Sequence, residues 1–305
     1  MLAYSLMQLM SRIACVQPTC FNDALAYALG QIGWLATPKW RRYMAKENVK
    51  ECLGVSETEA ERIAKESVTR FGRMLIEVLR YPLINQANFR NLVHFEGLEH
   101  LEEAYAEGRG VIMCTAHYGN WEMLGASMAL LGYPILSITR KQNDGDADRF
   151  INEYRQMVGQ HVTYNHGKSS MLSIGRYLKD KHLVGILYDQ DSAHTGEHLE
   201  LFGKPARVPD GAAQLARVFK APIVPLFMHN QPDGTLTEVI HPCFHADPQL
   251  SREENSHVIM EKLIRIAEEE IRRDPAMWFW VHDRWKDGKR RYRDRKHFST
   301  PMTGN

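Results

Sequence analysis

His117 and Glu122 stand five positions apart in the run His117-Tyr118-Gly119-Asn120-Trp121-Glu122. A carboxylate bonded to one imidazole nitrogen fixes the tautomer and makes the other nitrogen a better base. Such a pair can take the proton of a hydroxyl as that hydroxyl attacks a carbonyl carbon. On one continuous helix, positions i and i+5 diverge by about 140°, since each residue turns about 100°. The two side chains therefore meet only if His117 lies in a turn and Glu122 in the first helical turn after it. The flanks supply that arrangement. Gly110 to Ala116 reads as a buried strand and Met123 to Leu131 as a helix. Gly119 permits the turn, and Asn120 suits an N-cap. Open α/β sheets bind ligands at such strand-to-helix junctions. The H-x4-E spacing alone also fits a structural histidine at a strand end, so the rest of the chain must decide.

Four further clusters bear on the site. Ile138-Thr139-Arg140-Lys141-Gln142-Asn143 places cations just past a strand. Arg155 lies on the next helix, which Gly159 closes. Leu187-Tyr188-Asp189-Gln190-Asp191 is again a buried strand emptying into polar groups. Phe202 to Gly211 reads as a loop whose Lys204 and Arg207 precede a helix N-terminus, a place that stabilises anions. Singly, each cation could be solvated surface. Three of the four begin at strand ends, and in a parallel sheet those ends share one edge.

The elements that must position these residues follow from the apolar pattern. Ser56-Glu57-Thr58-Glu59 is a capping box opening a helix that runs toward Arg80, and Pro82 stops it. A helix at His100–Ala106 leads through Gly108-Arg109-Gly110 into the first strong strand. Strands are then expected at 134–139, 162–165, 183–188, 222–228, 236–241 and 278–281, and helices at 146–158, 169–178, 211–219 and 253–273. Alternating elements with continuously apolar strands imply an α/β fold. Its central sheet is mostly parallel and covered by helices on both faces.

Formal net charge is +1, which gives no global case for nucleic acid. Five cysteines without a C-x-x-C pair suit reduced thiols. No segment reaches the ~18 uninterrupted apolar residues of a spanning helix. The N-terminus is nevertheless distinctive. Leu2, Leu6, Leu9, Met10 and Ile13 share one helical face, and a second run reaches Trp34 and Leu35 before Pro38-Lys39-Trp40-Arg41-Arg42. An apolar helix, an edge tryptophan and then cations is the pattern of an interfacial anchor. A helix pair docked on the core would show the same face.

With these segments in this order, the sequence resembles the lipid A biosynthesis acyltransferases, the late lauroyl/myristoyl transferases within the lysophospholipid and glycerolipid acyltransferase group. The resemblance runs from about Trp40 to Lys286. It is carried by Phe95-Glu96-Gly97-Leu98-Glu99-His100, the His117–Glu122 run, Arg140 with Asn143, Arg155, Asp189-Gln190-Asp191, Phe202 through Pro209 to Pro225, and Trp280-Val281-His282-Asp283-Arg284-Trp285-Lys286. It implies transfer of a fatty acyl group from an acyl-carrier-protein or CoA thioester to a hydroxyl of a phosphorylated glycolipid, a lipid A precursor, at the cytoplasmic face of the inner membrane. His117 would be the general base and Glu122 its orienter. Arg140, Asn143, Arg155, Asp189, Asp191, Lys204 and Arg207 would hold substrate or developing oxyanion charge. No cofactor or metal is implied. No G-x-S-x-G elbow is present, so direct attack is expected rather than an acyl-enzyme. The chain then divides into an apolar membrane-association segment (1–37), an acyltransferase domain (38–288) and a basic tail (289–305).

Other readings stay open beside it. The group includes transferases acting on other glycolipids, such as mannosylated inositol lipids, and on lysophospholipids. A hydrolase could use the same pair to activate water, and a lipid-binding protein could carry the site retired. His241-Pro242-Cys243-Phe244-His245 alternates zinc-type ligands but lacks a fourth. The basic stretch from Arg284 to Lys296 suits anionic lipid or an acidic carrier protein better than nucleic acid.

Overall fold

The computed structural model describes residues 2–165, 167–191, 196–286 and 289–293. Nine strands are present among them: β1 (Val93–Glu96), β2 (Val111–Thr115), β3 (Ile135–Thr139), β4 (Gln160–Tyr164), β5 (Leu183–Leu187), β6 (Glu197–Leu201), β7 (Lys204–Val208), β8 (Ile223–Asn230) and β9 (Leu236–Ile240). Seven form one sheet in the order β1-β9-β8-β2-β5-β3-β4, and β6 pairs with β7. Every pairing in the large sheet is parallel except β8 with β9. The helices are α1 (Leu2–Val16), α2 (Thr19–Ala36), α3 (Lys39–Leu53), α4 (Glu57–Leu79), α5 (Leu98–Ala106), α6 (Trp121–Leu130), α7 (Gly145–Met157), α8 (Lys168–Lys179), α9 (Gly211–Phe219) and α10 (Arg252–Arg273).

The central strand shows why the apolar runs are continuous. Successive side chains of a strand point to opposite faces. Ile112 and Cys114 of β2 join a core with Ile174 of α8, Leu215 of α9 and Leu263 of α10. Val111 and Met113 join a second core with Leu101 of α5, Met123 of α6 and Phe150 of α7. Each face is covered, so every position of β2 is buried. Each large apolar side chain so buried contributes roughly 1.5–3 kcal/mol. Ser56 caps α4 by accepting from the Glu59 backbone N–H at 3.2 Å, and α4 ends at Leu79 before the 3-10 turn Tyr81–Leu83.

Three segments differ from expectation. β1 has no strong sequence signal and adds to the sheet edge beside β9. The Phe202–Gly211 loop is instead the turn and second strand of a hairpin. Phe202 (φ 54) and Gly203 (φ 69) are both left-handed, as a two-residue hairpin turn requires. Residues 278–281 are not a strand. A 3-10 turn, Pro275–Met277, is followed by a single bridge between Trp278 and Tyr118. The aromatic run buries itself by ring packing, with Trp278 and Trp280 4.7 Å apart edge to face.

The N-terminal helices are docked. α2 crosses α4 at small residues, where a Cβ on Gly30 would come within 2.4 Å of the Thr69 Cα. The Ser11 hydroxyl of α1 donates to the Leu79 carbonyl at 2.6 Å. Trp34 faces the core at 7% exposure rather than an interface. The opposite surface is apolar and exposed, with Leu6, Leu9, Ile13 and Val16 on α1 and Tyr27, Ile32 and Leu35 on α2. No helix among the described residues is long and apolar enough to cross a membrane.

Candidate active site

β2 and β5 are parallel neighbours, and their register sets Thr115 beside Leu187. Two residues past each strand end, His117 and Asp189 therefore meet. His117 Nδ1 lies 2.7 Å from Asp189 Oδ1. The His117 backbone N–H donates to Asp189 Oδ2 at 3.0 Å, and the Trp278 indole N–H donates to the same oxygen at 2.8 Å. Burial alone would raise the Asp189 carboxyl. The His117 ring and these donors outweigh it and hold the group at about 2. An ionised carboxylate only accepts, so Nδ1 carries the proton and Nε2 of the neutral ring is bare. The His117 side chain is 23% exposed, whereas Asp189 is buried. His117, Asp189, Gln190, His282, Arg284 and Trp285 share the lining of one small cavity.

The turn between His117 and α6 depends on glycine. Gly119 has φ +58, and a Cβ there would sit 1.8 Å from the Met228 carbonyl oxygen. Asn120 then caps α6, its Oδ1 accepting from the Met123 N–H at 2.8 Å. The cap is as the sequence suggests, but Glu122 is not the partner of His117. Trp121 lies edge-on to the His117 ring at 5.0 Å. The next residue is rotated about 100° around the helix, which aims Glu122 at α7. There it accepts from Arg155 Nε at 2.8 Å and from Arg155 Nη2 at 2.6 Å. Both side chains are about 10% exposed, so this is a buried bidentate ion pair. The orienting carboxylate comes from the neighbouring strand.

The other expected residues divide the same way. Arg155 is occupied by Glu122. Arg140 and Asn143 follow β3 and stand exposed at the same sheet edge. β3 lies two strands from β2, roughly 10 Å away at the spacing of paired strands. Asp191 accepts from Arg207 Nε at 3.2 Å, and Lys286 lies 3.7 Å from it. Lys204 does not face the site. It bridges to Asn48 at 3.0 Å and Glu51 at 2.9 Å on α3, over the Trp285 ring. Asp210 already occupies the start of α9, its Oδ2 accepting from Gln214 at 2.8 Å. Of the proposed zinc ligands, His241 binds Glu270 at 3.0 Å and His245 binds Glu107 at 2.9 Å. No metal-holding cluster occurs among the described residues.

The site also contains residues that sequence reasoning misplaced. Arg284, read as the first cation of a basic tail, is 2% exposed. Its three guanidinium nitrogens have no hydrogen-bond partner among the described residues, nor do His282 Nδ1 and Trp285 Nε1. The signal was the interleaving of tryptophans with these polar residues, which buries them. The tail proper begins later. Its Arg291 pairs with Glu51, and residues 294–305 and 192–195 lie outside the described residues.

Residues 9–287 match the family model for bacterial lipid A biosynthesis acyltransferase. A phosphatidylinositol mannoside acyltransferase of Mycobacterium tuberculosis is 27% identical over 66% of this chain and 70% of its own length. A lipid A biosynthesis palmitoleoyltransferase of Escherichia coli is 26% identical over 84% of this chain and 83% of its own. Among solved structures, the 1-acyl-sn-glycerophosphate acyltransferase PlsC of Thermotoga maritima aligns over 78% of this chain and 97% of its own. That alignment has 14% identity and a TM-score of 0.35, too distant to bear on mechanism. The family match covers the second half of α1, all of α2, the sheet and the His117 turn. The chain is an acyltransferase and belongs to the bacterial lipid A biosynthesis acyltransferase family.

Proposed function

We propose that the protein moves a fatty acyl group from an acyl-carrier-protein or CoA thioester to a hydroxyl of a phosphorylated lipid A precursor. The observation that carries this reading is the contact of His117 Nδ1 with Asp189 Oδ1 at 2.7 Å beside a cavity, which leaves Nε2 to act as the base. The acceptor hydroxyl gives its proton to Nε2 as its oxygen attacks the thioester carbon. The new C–O bond forms, the carbonyl electron pair moves to oxygen, and collapse expels the thiolate. His117 returns the proton to that sulfur. General-base help of this kind is worth roughly 10²–10⁴-fold. No covalent acyl-enzyme is needed. Glu122 acts through Arg155 and holds α6 against α7 below the site. Arg140 and Asn143, exposed on the same edge, are left to meet the acceptor's phosphate.

A mannosylated inositol lipid is a second acceptor class, favoured by the mycobacterial relative named for that activity. The exposed apolar surface of α1 and α2 rests on the membrane in this reading, with the exposed Lys39 toward the anionic cytoplasmic leaflet, while Arg41 donates to the Val281 carbonyl at 2.9 Å and Arg42 lies over the Trp34 ring. The test is product analysis by mass spectrometry with an acyl-carrier-protein thioester, with and without each acceptor. Acylated glycolipid formed only with acceptor supports transfer. Free fatty acid released at the same rate without acceptor would make the protein a hydrolase. Replacing Leu6, Leu9 and Ile13 together by Ser should abolish sedimentation with anionic vesicles, and unchanged binding would remove this surface from the membrane contact.

A further inference from the structure

A buried guanidinium with nothing to bind is costly, because an uncompensated interior charge loses its hydration without return. Arg284 is in that position. It is 2% exposed, and Nε, Nη1 and Nη2 are all buried without an acceptor among the described residues. Asp189 and Asp191 act on it only through space, as the charges that oppose its desolvation. Two neighbours repeat the pattern. Among the described residues, Trp285 Nε1 is a buried donor without an acceptor and His282 Nδ1 is buried without a partner. All three line the same small cavity as His117. Its volume is about 10 Å³, close to the least that holds a single water. Arg284 and Trp285 also line the adjoining groove, about 520 Å³, which opens past Arg207 and Lys286.

We propose that Arg284 and Trp285, with His282 beside them, form the oxyanion receptor of this acyltransferase. The ligand is the carbonyl oxygen of the acyl thioester, which arrives through the groove and enters the cavity as His117 takes the hydroxyl proton. Three residues with unsatisfied buried polar atoms border the cavity beside His117. As the C–O bond forms, the oxygen gains a full negative charge. The guanidinium and indole N–H meet it with donors already in place, which is the arrangement that favours a transition state over a ground state. Burial pushes the His282 ring down to about 4, so it places no second positive charge beside Arg284. The receptor also explains why the site keeps an uncompensated cation: the compensation arrives only during the reaction.

The inference rests on the acyl-transfer reading, so the controls are wild type and His117→Ala, assayed with an acyl-pantetheine thioester and a phosphorylated lipid A precursor. Arg284→Met should lower kcat by about 10²–10³-fold and leave KM for both substrates within about threefold. Its melting temperature should be unchanged or higher, because the desolvation cost of the guanidinium is removed and no hydrogen bond to a described residue is lost. A merely structural arginine would give the opposite, lower stability with kcat kept. Trp285→Phe should lower kcat by a smaller factor, and added methylguanidinium should restore part of the activity of Arg284→Ala. A kcat near wild type in either Arg284→Met or Trp285→Phe overturns the receptor, as does a loss confined to KM. If Arg284→Met does not fold, Arg284 is structural and the receptor is again overturned. If wild type transfers no acyl group, the acyl-transfer reading itself fails. If wild type transfers, His117→Ala does not, and Arg284→Met matches wild type, only the receptor fails.

Discussion

Two histidine–carboxylate assemblies lie near one another in this protein, and they differ in what stands beside the ring. His117 sits on Asp189, with Nε2 bare beside a cavity lined by unsatisfied donors. His229 sits on Glu270 at 2.8 Å, but the same carboxylate also holds His241 at 3.0 Å, and the Tyr118 hydroxyl lies 3.2 Å from His229 Nδ1. Both ring nitrogens of His229 are taken. Both carboxylates are held at about 2 against burial, by His117 and the indole in one case and by the two histidines in the other. Electrostatics alone therefore does not separate them. What separates a site from a strut is whether polar capacity is left over once the protein has satisfied itself.

The largest expected contrast is in turnover. His117→Ala should lower kcat by about 10²–10⁴-fold in a protein that still folds, since Asp189 keeps the Trp278 indole and the backbone N–H as donors. Replacing His229 by Phe should do the reverse, and steady-state turnover per folded molecule together with thermal unfolding reads both. Equal turnover losses at the two histidines would erase the distinction.

The Glu122–Arg155 pair should behave as a strut despite its place in the His117 run. Glu122→Gln leaves a buried guanidinium without its carboxylate and should destabilise the fold by about 3–5 kcal/mol, measured by denaturant unfolding. A variant as stable as wild type would mean the pair is idle structurally and would return Glu122 to the chemistry.

The next effect is in pH dependence. Glu270 is lowered from 4.5 to about 2 in the folded protein. The stability it contributes is complete above its unfolded value and is lost as pH falls toward about 2. Glu270→Gln should be less stable at neutral pH by roughly 1–3 kcal/mol and should flatten that acid limb. An acid limb with the wild-type slope in the variant would show that the histidines do not hold this carboxylate.

A third carboxylate sharpens the comparison by lacking a ring. Glu238 is fully buried with only the Ser127 hydroxyl at 2.5 Å, and burial pushes it up to about 8. Between 4.5 and about 8 the unfolded chain loses this proton while the folded one keeps it. Stability should therefore fall as pH rises across that window. Glu238→Gln should remove the slope and be the more stable protein near its upper end. If wild type and variant show parallel stability curves across the window, Glu238 ionises freely in the fold.

Most of the central strands, the helices and the shared sheet edge were legible because periodicity and caps are local signals, whereas β1, the β6–β7 hairpin and the turn at 278–281 were not. His117, Gly119 and Asn120 were legible for the same reason. Asp189 was visible as a strand-end acid, but its role was not, because it depends on β2 and β5 being neighbours in a particular register. Thr115 opposite Leu187 is the fact that pairs His117 with Asp189, and no spacing along the chain contains it. Glu122 was drawn to His117 by sequence proximity, which a single helical step undoes. Arg284 was hidden by composition. Among the cations from Arg284 to Lys296 it looks solvated, but it is 2% exposed beside a cavity that Trp278, Trp280 and Trp285 also line.

The central claim is that Asp189 holds the proton of His117 on Nδ1 and leaves Nε2 free to act as the base. Nitrogen-15 NMR of the imidazole, with His117 assigned by its loss in His117→Gln, reads this directly. The neutral His117 ring should be protonated at Nδ1 and bare at Nε2. A neutral ring protonated at Nε2, with Nδ1 bare toward Asp189, would contradict the account.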